Sequence, residues 1–164
     1  MGSVRRHLAI AASADTVWTL VGAPGRLHEW FPVVATEIAD PPSAEAAARG
    51  AVAQRWISLA NGLRFEEDIV TLDHAQRRFQ YRIVNNGLIT QHLATVDVLE
   101  DGPDRCIVVY STDMEPAPMA LVISGAAGEG LETLKTMFEH ATTPNTTPAT
   151  TPNTTPNTTP GEVA

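Results

Sequence analysis

An arginine and a glutamate twelve residues apart, Arg55 and Glu67, carry the first hint of chemistry in this chain. They flank Ala60-Asn61-Gly62, a three-residue hairpin loop in which the glycine supplies positive φ. Counting outward from the loop sets Leu59 against Leu63, Ile57 against Phe65 and Arg55 against Glu67. Side chains alternate along a strand, so one face reads Arg55, Ile57, Leu59, Leu63, Phe65, Glu67, Ile69. The other face carries Gln54, Ser58, Arg64, Glu66 and Asp68, which suit water. A charge on the apolar face is costly unless paired, and this register pairs the two directly. Such a pair either plugs the interior and fixes register, or lets Glu67 orient Arg55 so that its fork polarises a ligand carbonyl or holds an enolate-like oxygen.

The same parity supplies further candidates. Phe79, Tyr81 and Ile83 share an inward face, as do His92, Ala94, Val96 and Val98, and then Cys106, Val108, Tyr110, Thr112 and Met114. His92 titrates near neutrality and can shuttle a proton, or it is a strand-end histidine bonded to backbone or solvent. Tyr81 and Tyr110 can each donate to a substrate oxygen or pack with the hydroxyl satisfied locally. Trp30, beside Pro32, stands at a cavity mouth or in the core under two short helices. Cys106 reads as buried packing. No paired histidine spacing, phosphate loop, nucleophile elbow or dinucleotide fingerprint is present, so neither metal nor cofactor is expected.

These rows need elements to position them. Val4–Ile10 reads as a strand; Ser13 or Asp15 caps a helix with Val17, Trp18, Leu20 and Val21 on its apolar face. A short second helix spans Arg26–Trp30 before Pro32. Strands follow near 33–39, 51–59, 63–72, 77–85, 91–99 and 105–114, divided by turn residues. After Pro116 and Pro118 a helix runs to about Ala141 with Ile123, Ala127, Gly130, Leu131, Leu134 and Phe138 on one face. The fold class expected is α+β: a seven-stranded antiparallel sheet wrapped around the C-terminal helix, enclosing an apolar cavity suited to a hydrophobic ligand.

The chain has 164 residues and a net charge of −8, with ten of its eleven basic residues arginine. The acidity argues against nucleic acid, and no apolar run is long enough to span a membrane. One cysteine excludes an internal disulfide. With no signal-peptide pattern at the start, a cytoplasmic protein is expected, as a monomer or homodimer. From Thr142 a Thr-Thr-Pro-Asn tetrapeptide recurs, without large apolar side chains to bury. Residues 1–141 are therefore expected to form the domain and 142–164 a disordered, partly polyproline-like tail.

Taken together, Ala14-Asp15-Thr16-Val17-Trp18-Thr19-Leu20-Val21-Gly22, Trp30-Phe31-Pro32, Gly50 with Arg55, Gly62 with Glu67, Leu72-Asp73, Tyr81-Arg82-Ile83-Val84 and Gly130-Leu131-Glu132-Thr133-Leu134-Lys135 resemble the helix-grip superfamily. That superfamily includes START domains, the birch-pollen-allergen fold and the polyketide cyclase/dehydrase family. The resemblance spans roughly residues 4–138. It departs at residues 40–50, which are longer, and at Tyr110, where tryptophan is common. It implies a cofactor-independent cyclase or dehydratase for a polyketide-like intermediate, in secondary (antibiotic) metabolism, with Arg55, Glu67, His92 and Tyr110 catalytic. Trp30, Ile57, Phe65, Ile69, Phe79, Tyr81, Thr112, Met114, Ile123 and Ala127 would contact the ligand. A non-enzymatic carrier of a hydrophobic molecule needs the same cavity without the proton shuttle. A client-binding co-chaperone domain would use the outer surface instead.

Overall fold

The computed structural model describes residues 1–141; the Thr/Pro/Asn repeat lies outside the described residues. Seven strands form one antiparallel sheet: β1 (Gly2–Ile10), β2 (Ala35–Ala39), β3 (Ala53–Ser58), β4 (Arg64–Asp73), β5 (Arg78–Val84), β6 (Gln91–Glu100) and β7 (Cys106–Glu115). Their spatial order is β1-β7-β6-β5-β4-β3-β2, so every neighbour but β1–β7 is a sequence neighbour. This meander arises because each strand is short, alternates apolar and polar residues, and ends in a turn-forming cluster.

Helix α1 (Ala14–Val21) is capped by Ser13, whose hydroxyl accepts from the Thr16 N–H. The expected second helix is instead a 3₁₀ segment, Pro24–Glu29, because proline at its start and six residues of length favour the tighter turn. Residues 33 and 34 precede β2 rather than belonging to it, and Val33 packs in the core. The longer stretch at 40–50 holds an unanticipated helix, α2 (Ala44–Ala48), capped by Ser43 accepting from the Ala46 N–H. The last helix, α3 (Ala117–Ala141), carries Pro118 in its first turn, where no intrahelical donor is needed.

Alpha3 lies across the concave face of the sheet and the core fills the space between. Ile10, Val17, Val21, Ile69, Phe79, Val96, Val98, Tyr110 and Leu134 are fully or almost fully buried there. Gly130 lets α3 approach closely: a Cβ at that position would meet the Phe31 ring at 2.9 Å. Two residues expected in water are buried. Gln54 and Asp68, on the convex face, are covered by α2, whose C-cap Arg49 chelates Asp68 with Nε at 2.7 Å and Nη2 at 2.9 Å. No helix among the described residues is long and apolar enough to cross a membrane.

Candidate active site in the cavity between sheet and helix

The β3–β4 register pairs Arg55 with Glu67 and Ile57 with Phe65, with Gly62 at φ +85° in the turn. Arg55 is wholly buried and Glu67 is 2% exposed. Arg55 Nε donates to Glu67 Oε2 at 2.7 Å, and Nη2 lies 2.5 Å from the same oxygen. Its Nη1 donates to the Pro24 carbonyl at 3.2 Å. The guanidinium carbon sits 4.7 Å from the Tyr81 ring centroid and 5.2 Å from that of Phe79, so aromatic faces shield the cation.

A cavity of about 320 Å³ opens on the other side of the carboxylate. Glu67 is part of its wall; Arg55 is not. The pair thus stands in the reverse of the expected order, with the carboxylate toward the ligand space and the guanidinium behind it. Burial raises the Glu67 carboxyl above its usual range, against the opposing pull of Arg55.

His92 occupies a break in the sheet. Beta5 and β6 pair only from Arg78–Asp97 to Tyr81–Ala94. Beyond that the Ile83 N–H donates to His92 Nδ1 at 3.0 Å, so the side chain stands in for a missing ladder bond. An accepting Nδ1 places the ring proton of the neutral tautomer on Nε2. That nitrogen is buried and has no hydrogen-bond partner among the described residues, while the ring forms part of the cavity wall. Burial, aided by the charge of Arg55, lowers the His92 pKa to about 4 and keeps the ring neutral near pH 7.

Tyr81 is also on the wall, and its hydroxyl bonds the Tyr110 hydroxyl at 2.5 Å. Burial raises both phenols, so both remain protonated. Tyr110 itself is one layer back, stacked on Phe31 at 5.9 Å.

Of the residues expected to contact a ligand, Ile57, Phe65, Tyr81 and Ile123 line the cavity. Trp30, Ile69, Phe79, Thr112, Met114 and Ala127 are buried but lie behind the wall. Trp30 supports Phe31 edge-on at 5.5 Å, and Phe79 stacks on Tyr81 at 5.3 Å. The wall also includes Leu27, Phe31, Val33, Ile89, Met119 and Ala126, which parity along the strands did not reach. Phe31 was legible in the Trp30-Phe31-Pro32 triplet, whereas Ile89 sits in a loop without periodicity. Among the described residues no group of three His, Cys, Asp or Glu side chains is placed to hold a metal ion.

The family model for polyketide cyclase/dehydrase and lipid transport matches residues 1–139. Among solved structures, a START superfamily protein from Mycobacterium smegmatis superposes with a TM-score of 0.68 at 19% identity, covering 87% of this chain and 100% of that one. The di-domain ARO/CYC BexL from the BE-7585A biosynthetic pathway gives 0.69 at 18% identity, covering 88% of this chain and 48% of BexL. Norcoclaurine synthase from Thalictrum flavum, in complex with dopamine and hydroxybenzaldehyde, gives 0.63 at 19%, covering 86% and 88%. No curated protein matches the sequence. At these identities the structural likenesses speak to the fold, which is the helix-grip fold of START-like proteins. The match of the family model over nearly the whole described domain assigns the chain itself: it belongs to the polyketide cyclase/dehydrase and lipid transport family.

Proposed function

We propose that the protein is a cofactor-independent cyclase or dehydratase for a hydrophobic poly-carbonyl compound held in the cavity. The observation that carries this reading is the Glu67 carboxylate and the unpartnered His92 Nε2–H on one largely apolar wall. A carboxylate whose pKa is raised by burial is a stronger base, and once protonated it is an acid able to return the proton. Glu67 takes a proton from a methylene between two carbonyls through the carboxylate oxygen not engaged by Arg55. His92 Nε2–H hydrogen-bonds the carbonyl oxygen on which the enolate charge develops. The carbanion carbon attacks a second carbonyl of the same folded chain, closing a ring, and the new alkoxide takes the proton back from Glu67 to become a hydroxyl. In dehydration a second enolisation at Glu67 expels that hydroxyl, which leaves as water with the returned proton. Arg55 acts through Glu67, holding its orientation and balancing its charge. The two phenols stay protonated and so are not available as bases; Tyr81 forms part of the wall and Tyr110 backs it.

BexL, a di-domain ARO/CYC of a biosynthetic pathway, and norcoclaurine synthase support the reading as proteins of this fold. The apolar wall also suits a carrier that binds and releases its ligand unchanged, and the family description includes lipid transport.

Native mass spectrometry of the purified protein, followed by denaturing extraction, identifies what the cavity retains. Glu67→Gln is then assayed on that compound. Turnover should fall about 10²-fold or more with retention unchanged, the usual scale for losing an acid–base group. Retention without conversion by either protein assigns the carrier role, and full turnover by Glu67→Gln removes Glu67 from the chemistry.

A further inference from the structure

A pair of phenols carries two protons, but only one of them can lie between the two oxygens. The Tyr81 and Tyr110 hydroxyls, 2.5 Å apart, share one proton and direct the other elsewhere. Tyr110 is 1% exposed, stands outside the cavity wall and has no second hydrogen-bond partner among the described residues. The next inward hydroxyl on β7, Thr112 Oγ1, is itself buried without a partner, so it does not accept from Tyr110. A Tyr110 proton turned away from Tyr81 would therefore be buried and unpaired, the costly arrangement. Tyr110 is accordingly the donor within the pair. The spare proton sits on Tyr81, which lines the cavity.

That proton joins the His92 Nε2–H on the same wall, and the rings of Tyr81 and His92 lie 5.5 Å apart, tilted by 52°. Glu67, Tyr81 and His92 thus bring one basic oxygen and two donors from three adjacent strands, β4, β5 and β6. A β-diketone is the complement: two accepting carbonyl oxygens with an acidic methylene between them. No lysine or arginine lines the cavity, so a ligand carboxylate or phosphate would find no counter-charge there. At interior packing density a non-hydrogen atom takes roughly 20 Å³, so a cavity of about 320 Å³ holds about 16 of them. We propose that Tyr81 is a second catalytic donor and that the cavity takes an uncharged β-diketone of this size, one oxygen on Tyr81 O–H and the other on His92 Nε2–H. The proposal rests on the roles given above to Glu67 and His92. As Glu67 takes the methylene proton, the C–H electron pair spreads over both oxygens, and each meets a donor already in place. No net charge enters the cavity, because the carboxylate is neutralised as the enolate forms.

The test is a titration of the full chain with benzoylacetone, a β-diketone within that size, followed by the ultraviolet absorbance of its enolate. The comparison ligand is benzylacetone, which keeps the carbon skeleton but lacks the second carbonyl. The wild type should prefer the diketone and lower its apparent pKa. Tyr81→Phe should cut that preference at least about tenfold, the scale of one hydrogen bond to a charged oxygen. Because Tyr81→Phe leaves the Tyr110 hydroxyl unpaired, the Tyr81→Phe, Tyr110→Phe double variant is measured as well and should show the same loss. A preference unchanged in both variants, or no preference in the wild type, overturns the proposal. Glu67→Gln separates the proposal from the reading beneath it. Loss of the enolate signal with the neutral diketone still preferred sustains both. An enolate signal that survives, with the Tyr81 effect intact, keeps the donor pair and removes Glu67 as the base.

Discussion

Two buried carboxylates of β4, Glu67 and Asp68, point to opposite faces of the sheet, each held by an arginine, and they differ in what surrounds them. On the concave face Arg55 and Glu67 meet through a single carboxylate oxygen, with aromatic rings over the guanidinium and open cavity beyond Glu67. On the convex face, one residue along, Arg49 takes Asp68 with both oxygens, and Arg49 also reaches Glu45 at 3.0 Å. Asp68 is as buried as Arg55, but α2 and its cap lie over it. Burial alone therefore does not separate a candidate catalytic carboxylate from an architectural one. Access to an empty apolar space does, because only there can a substrate atom approach the oxygen.

The contrast can be broken most severely at Arg55. Arg55→Leu strands Glu67 unpaired in the interior and should cost about 3–5 kcal/mol of stability, measured by urea unfolding. Wild-type stability in that substitution would mean that the pair contributes neither architecture nor orientation.

The next effect is a pH dependence of roughly 3 kcal/mol from His92. Its pKa is about 4 in the folded protein and near 6.5 when unfolded. The unfolded chain binds the extra proton between those values, so stability is lost as pH falls from about 6.5 to about 4. Glu67 works in the opposite direction. Its folded pKa is raised above 4.5, so the unfolded chain releases its proton first and stability is lost as pH rises above that value. Unfolding curves from pH 4 to 8 should show the acid-side loss reduced in His92→Leu and the alkaline-side loss reduced in Glu67→Gln.

Smaller again is Asp68→Asn, which weakens the attachment of α2 by about 1–3 kcal/mol. Ligand retention and turnover should not change, and a parallel loss of either would erase the distinction between the two faces. A contrast of similar size concerns the paired phenols. Tyr110→Phe leaves the Tyr81 hydroxyl buried without its partner, at a cost of about 1–3 kcal/mol, whereas the double change to phenylalanine should be nearly neutral. Equal costs for the single and double variants would show that the hydroxyl–hydroxyl bond is not what holds the rings.

The hairpin was legible because its logic is local. Ala60-Asn61-Gly62 sets the loop, and period-two alternation then forces Arg55 opposite Glu67 without reference to the rest of the chain. Helix α2 is equally local, with a Ser43 cap before Glu45-Ala46-Ala47-Ala48, but five residues are too few to show a helical period. Parity assigns Phe79 and Met114 inward, and inward they are, yet an inward side chain can face the cavity or stand a layer behind it.

Strand order, antiparallel pairing, the inward rows and the amphipathic last helix follow from residue types at fixed spacing, since turn chemistry and side-chain alternation act over a few residues. Which partner of the ion pair meets the cavity, why Asp68 is buried, and how His92 comes to replace a ladder bond depend on elements distant in sequence. Alpha2 covers one face, α3 covers the other with Gly130 against Trp30 and Phe31, and the sheet parts above Tyr81. Pattern assigns a side chain to a face; only packing sets its depth, its neighbours and the space left in front of it.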